Sequence, residues 1–246
     1  MNFSFFLVLN FLMIIRLFSA NTIKSQSLKN FMIQTILSLL VVFLFQPHWM
    51  LLALVVLLVF FQLLTFVIDG FVKGSNRFLM RFISLLCFAL GLWLLTTVYN
   101  VFFQINEGLI KSLVSCWPIL QAKELIYHGL VVLWGALFLV NEINQIIVYT
   151  ISALKILPRS EANQTDFMAI RRGWIIGVLE RLLIFILVIN LQIGAIGFIL
   201  AAKGIIRFKK MDDKDFAEYV LIGTLLSTLL AMLVAFAVLL LMNRLS

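Results

Sequence analysis

Long apolar stretches dominate this chain and are separated by short polar ones, so the first question is what period they carry. Eight can be drawn, at residues 3–15, 28–45, 49–67, 78–99, 125 to about 147, 174–190, 192–206 and 216–242. They do not alternate with the period of two that a half-buried strand requires; residues 51–61 are apolar throughout apart from the ordinary variation of side-chain size. Most are near the roughly 20 residues that a helix needs to cross a hydrocarbon core, and lipid offers backbone amides no partners outside a helix or a closed barrel. The pattern therefore predicts an all-α, polytopic transmembrane helical bundle with seven to eight spans. The first and seventh stretches are short for a span and are expected to be tilted, interfacial or re-entrant.

Two regions complicate this drawing. From 102 to 117, apolar Phe102, Phe103, Leu109, Ile110, Leu113, Val114 and Trp117 lie opposite Gln104, Glu107, Lys111 and Ser115, which predicts an amphipathic helix in the membrane interface. The fifth apolar stretch runs on to Leu157 and is interrupted by Asn141, Glu142, Asn144 and Gln145, so a break or an extension beyond the bilayer is expected there. Pro158 and the polar residues after it suggest three parts: an N-terminal transmembrane half over 1–157, a cytoplasmic linker over 158–172, and a three-helix unit over 173–246.

Composition strengthens the membrane reading. Hydrophobic residues make up 63% of the 246 and charged residues 12%, against about half and about a quarter in soluble domains. The net charge of +8 would suit nucleic acid if it were clustered, but the basic residues are scattered in short loops, so no nucleic-acid partner is expected. With the N-terminus outside, 15 of the 19 Lys and Arg residues fall on the inner side, leaving Lys111, Lys123 and Arg244 outside and Arg181 within a span. That asymmetry is the positive-inside pattern of a multi-pass protein in a cell inner or plasma membrane. The apolar N-terminus lacks a basic leader segment and is read as a retained first helix.

Candidate chemistry comes from charges where charge is expensive. Glu180 and Arg181 stand about 10–12 Å into the sixth stretch at helical rise, and such residues face partners or water-filled space. Lys203, Glu218, Tyr219, Asp69 and Arg81 are expected near the same inner side, and pairing Glu180 or Glu218 with Lys203 or Arg181 would neutralise both members. Small residues mark candidate helix contacts: Gly173 and Gly177 on the sixth stretch, Gly194, Gly197, Ala201 and Gly204 on the seventh, and Gly223 and Ser227 on the eighth. These seams are expected to pack within one chain or against a second copy or a membrane partner protein.

Catalytic and metal-binding motifs are missing. His48 and His128 have no ligand at helical spacing, Cys87 and Cys116 cannot form a site by themselves, and no nucleophile triad or phosphate loop occurs. The sequence thus predicts no metal, no cofactor and no catalytic residue.

The run over 177–231 contains GVLERLLIF, QIGAIGFILAAKGIIRF and FAEYVLIGTLLSTLLA. It resembles the C-terminal half of bacterial membrane proteins of domain-of-unknown-function family 3307, over about 55 residues. Upstream, where that family carries His and Asp four apart, this chain has Asn10 and Ile14 on the first helix and Thr65 and Asp69 on the third, and Arg81 replaces a following Asp or Gln. The resemblance implies shared architecture. The intact His and Asp pattern is similar to that of membrane-bound metal-dependent hydrolases, so a degenerate hydrolase acting on lipid-linked substrates is one alternative, with Asp69 and Glu180 as its acid and base. A structural or toxin-like assembly protein is another. The leading expectation is a nonenzymatic transport, permeation or sensing component in a lipid bilayer.

Overall fold

The computed structural model describes residues 3–19, 28–49, 51–72, 76–98, 123–153, 167–207 and 214–243. All of the described elements are helical. They are α1 (Phe3–Ser19), α2 (Leu28–Leu39) continued by a 3₁₀ segment (Leu40–Leu44), α3 (Leu51–Phe71), α4 (Asn76–Val98) and α5 (Lys123–Phe138). A π-helical turn (Leu139–Ile143) joins α5 to α6 (Asn144–Ala153), and α7 (Phe167–Ile189), α8 (Gly194–Arg207) and α9 (Lys214–Asn243) follow. The amphipathic helix expected over 102–117 lies outside the described residues.

Four helices are long and apolar enough to cross a membrane: Leu51–Phe71, Leu79–Val98, Glu124–Ala153 and Val220–Asn243. This is a smaller number than the seven to eight spans read from the sequence: α1, α2, α7 and α8 are not among the four. The 17 residues of α1 and 14 of α8 reach about 26 and 21 Å at 1.5 Å per residue, short of a core about 30 Å thick. Helix α2 gains reach by tightening: 12 α-helical and five 3₁₀ residues extend about 28 Å because the 3₁₀ rise is about 2.0 Å.

The chain divides into two compact units, Met1–Leu137 and Phe138–Arg244. The division falls at the start of the π turn, ahead of the polar stretch at 158–172. In the N-terminal unit α3 and α4 pack side by side and α1 packs on α2 and α4. Helix α1 is apolar nearly all round and is correspondingly buried, through Phe5, Phe6, Val8, Leu9, Leu12 and Met13. Phe6 sets its ring edge-on to Tyr127 and Trp134 of α5, with centroids 5.6 and 6.0 Å away. One turn on, the Asn10 side-chain amide donates to the Leu130 carbonyl at 2.8 Å.

On several helices polar side chains are buried while large apolar ones on the same helix face outward. On α3, Gln62 and Asp69 are buried while Leu52, Val56, Phe60, Leu63 and Val67 are exposed; on α7, Arg181 is buried while Leu179, Leu183 and Ile186 are exposed. Contiguous apolar surface on this scale is foreign to soluble monomers and fits a lipid surround.

In the C-terminal unit α7 and α9 pack along one another, and the π turn packs against both. Helix α7 stops in a Schellman motif: the Gln192 amide donates to the Leu187 carbonyl at 2.8 Å and the Leu191 amide to the Val188 carbonyl at 2.9 Å. Closing that motif puts Leu191 at φ 60°, a left-handed conformation that costs a non-glycine residue about 1–2 kcal/mol. The reversal sends α8 back beside α7. Because Leu191 is 72% exposed, Leu191→Gly loses no packing, and it is expected to stabilise the protein by about 0.5–1 kcal/mol once the added freedom of the unfolded chain is subtracted. Leu191→Val is expected to destabilise it. Unfolding of the detergent-solubilised protein in SDS measures both, and a destabilised glycine variant would show that the left-handed turn is not what limits this corner.

Candidate functional site

Two ion pairs of the described residues stand on the helices, one in each unit. In the N-terminal unit, Asp69 near the end of α3 faces Arg81 in the second turn of α4. The Arg81 Nε donates to one carboxylate oxygen and Nη2 to the other, each at 2.6 Å. Their side chains are 2% and 8% exposed, so the pair is sealed. Such a two-pronged contact uses both oxygens of the carboxylate and is the strongest geometry available to it. Asp69 is thereby committed to Arg81 and offers no lone oxygen as a general base. Ser84, one turn further along α4, donates to the Arg81 carbonyl at 2.7 Å.

The second pair stands at a cavity of about 160 Å³ in the C-terminal unit, walled by α6, α7, α8 and α9. From α7 come Gly173, Trp174, Gly177, Glu180 and Arg181, a set at spacings of three and four that one helical face presents together. Helix α8 supplies Lys203, α6 supplies Asn144, and α9 supplies Gly223, Thr224 and Ser227. The Lys203 ammonium donates to Glu180 Oε2 at 2.5 Å. Unlike the Asp69–Arg81 pair, these side chains keep 18% and 21% of their surface exposed, so the ion pair stands at an accessible cavity.

Arg181 is 3% exposed. Long helical side chains fold back toward the preceding turn, and Gly177 leaves room there: a Cβ at position 177 would sit 3.6 Å from Nη1 of Arg181. Nη1 also approaches Ser227 Oγ at 3.5 Å, the outer limit of a hydrogen bond. Nε and Nη2 have no hydrogen-bond partner among the described residues. The arrangement offers charge, hydrogen-bond donors and room for a small polar species. Among the described residues, no three His, Cys, Asp or Glu side chains group as a metal site would need.

The remaining candidates are placed differently. Glu218 is exposed on α9, and the side chain of Tyr219 lies outside the described residues. Of the small residues, Gly177 meets Arg181, and a Cβ at Gly223 would lie 3.7 Å from the Ile151 side chain. A Cβ at Gly173, Gly194, Gly197 or Gly204 would meet nothing within 4 Å, and Ala201 is exposed, so these residues do not form a close seam among the described residues. Ser227, expected as a packing residue, instead approaches Arg181.

Sequence reasoning left three lining residues out of its site candidates, Asn144, Trp174 and Thr224. The polar interruption at 141–145 marks the π turn, where Glu142 is completely buried and Asn141 nearly so; π turns recur at functional sites. Asn144 follows directly and lines the cavity. Trp174 and Thr224 reach it too, and only the helical phase of Glu180 on α7 could have pointed to Trp174.

The sealed pair in the N-terminal unit yields a quantitative test. Removing either charge strands the other in an apolar interior at a cost of about 3–5 kcal/mol, whereas replacing both with apolar residues of similar size is often nearly neutral. Asp69→Leu and Arg81→Met are each expected to destabilise by about 3 kcal/mol and the double variant by far less than the sum. Additive losses in SDS unfolding would sink the assignment of a tightly coupled pair. No family model, no curated protein and no solved structure matches the chain, so the geometry of these residues alone carries the functional reading.

Proposed function

We propose that the chain is a nonenzymatic multi-pass component of a cell membrane that moves or senses a small polar solute, with the charged cavity of the C-terminal unit as its working part. What supports this reading is the convergence of Glu180, Arg181 and Lys203 on one cavity whose helices carry apolar outer faces. Each charge placed at the centre of an apolar helix costs about 2.5–3.5 kcal/mol to insert, and such charges line solute paths more often than they decorate a core. A pair serving only as a fastener would be closed off, as Asp69 and Arg81 are. The partial exposure of Glu180 and Lys203 favours a working role.

The topology belongs to the same proposal. Helix α7, 23 residues long, acts as a fifth span beside the four that are long and apolar enough. Helices α1, α2 with its 3₁₀ extension, and α8 complete a seven- to eight-segment arrangement by tilting or by crossing in part. The N-terminus faces outward and the basic loops face the cytoplasm. The unoccupied small-residue face of α8 suits close approach by a second copy or a membrane partner. The resemblance of residues 177–231 to family 3307 agrees with this architecture and contributes no activity.

Proteoliposomes with entrapped dyes test the proposal by reporting proton, potassium and phosphate movement. The wild-type protein is expected to raise at least one flux above that of protein-free vesicles, and Glu180→Gln to lower it about tenfold or more, equivalent to about 1.4 kcal/mol of barrier. A solute that is sensed rather than moved is expected to change the fluorescence of Trp174 in a variant that retains it as sole tryptophan. Absence of both responses would overturn the proposal.

A further inference from the structure

Arg81 and Arg181 are both buried arginines on largely apolar helices, and they differ in what meets the guanidinium. Arg81 presents the edge formed by Nε and Nη2 to Asp69 and holds a carboxylate oxygen on each nitrogen at 2.6 Å. The same edge of Arg181 meets no hydrogen-bond partner among the described residues, although the residue is 97% buried. Two parallel N–H donors in one plane match the two oxygens of a carboxylate or phosphate, a fit that a lysine ammonium does not reproduce. Donors buried without partners carry a desolvation cost that an arriving anion would remove.

The charge around the cavity has the matching sign. Glu180 and Lys203 neutralise one another, which leaves the charge of Arg181 in excess among the described residues that line the cavity. Glu142 is buried on the π turn that packs against α7 but does not line the cavity. Ser227 Oγ accepts from Nη1 of Arg181, so its own hydroxyl proton is available to a ligand oxygen. A volume of about 160 Å³ is several times the roughly 30 Å³ share of a water molecule and suits an ion of phosphate or short-chain carboxylate size.

We propose that this cavity is an oxyanion site: the unpartnered Nε–Nη2 edge of Arg181, closed off at rest, turns toward the cavity that the residue lines to take a carboxylate or phosphate group beside Ser227, which can draw the Lys203 ammonium from Glu180. This deepens the proposed function, on whose cavity it rests, by naming the ligand class. The anion could be a free solute or a lipid headgroup, since both present the same oxygens.

The full-length protein in phosphatidylcholine nanodiscs, at constant ionic strength, is titrated with inorganic phosphate and separately with acetate while thermal unfolding is followed. At about 100 times the Kd, a saturable rise in Tm of about 5–10 °C is expected with at least one of them. The rise is expected to be lost in Arg181→Gln and strongly reduced in Arg181→Lys. Thr224→Leu fills the cavity while leaving every charge in place, and is expected to abolish the rise even if the Arg181 variants do not fold. Nanodiscs containing phosphatidylglycerol separate the sources: a raised Tm that no longer responds to phosphate assigns the site to a headgroup, and an unchanged response assigns it to a solute. Indifference of the wild-type Tm to phosphate, acetate and anionic lipid, or an undiminished response in Thr224→Leu, overturns the site. Binding without flux or a Trp174 response would remove the proposed function and leave the oxyanion site standing, whereas flux without binding would do the reverse.

Discussion

A charged or polar side chain halfway along an apolar helix has to find its partners inside the protein, because lipid supplies none and the cost of leaving it unmet is several kcal/mol. The arrangement of both units follows from that constraint. Gln62 and Asp69 turn α3 so that they face inward, and Leu52, Val56, Phe60 and Leu63 are carried outward on the same helix. Arg181 does the same for α7. Helix rotation is thus set by a few polar positions, while the apolar ones are interchangeable between a protein interior and lipid. Packing then needs only to fill space around those fixed points, as Phe61 and Phe88 do with ring centroids 4.7 Å apart between α3 and α4.

The two arginines show how one chemistry serves two purposes. Arg81 has a carboxylate on a neighbouring helix within reach of two donors, and the outcome is a closed pair that fixes α3 against α4. Among the described residues, Arg181 has no such carboxylate opposite it: Glu180, its neighbour in sequence, points about 100° away round the helix and is held by Lys203 from α8. The Schellman turn at Leu191 is what brings α8 back beside α7 and so places Lys203 at Glu180. Backbone strain at one exposed residue is therefore linked to the cavity through the placement of Lys203.

Much of this was legible in the sequence, and the limits have physical causes. Hydropathy located each helix, because an apolar run of 15 or more residues in such a chain has few alternatives to a helix. Run length does not reveal where a helix stops, so it does not separate the four described helices that are long and apolar enough to span from a short one such as α8, with 14 residues. The positions of the buried charges were visible, since Glu180 and Arg181 interrupt an apolar run, and Lys203 was narrowed to Glu180 or Glu218 as partner. The choice between them depends on the register of α8 on α7, which hydropathy does not encode. Small-residue spacing likewise identifies a face without naming what meets it, so Gly177, which accommodates a guanidinium, and Gly194, which faces open space, look alike in the sequence.

The π turn is the feature the sequence displayed most openly and explained least. At about 100° per residue, Asn141, Gln145 and Glu142 fall within about 100° of arc, so a regular α-helix from α5 into α6 would already present all three on one face. All three are buried, and the residue inserted at the π turn shifts the phase of everything beyond it by about 100°. Asn144, the first residue after the turn, reaches the cavity, followed at spacings of three and four by Ile147 and Ile151. The π turn that carries this buried polar cluster therefore sets the phase of α6, and with it the α6 wall of the cavity that Arg181 lines. Sequence periodicity could not show this because it assumes a constant angle per residue, and the cavity wall is built where that assumption fails.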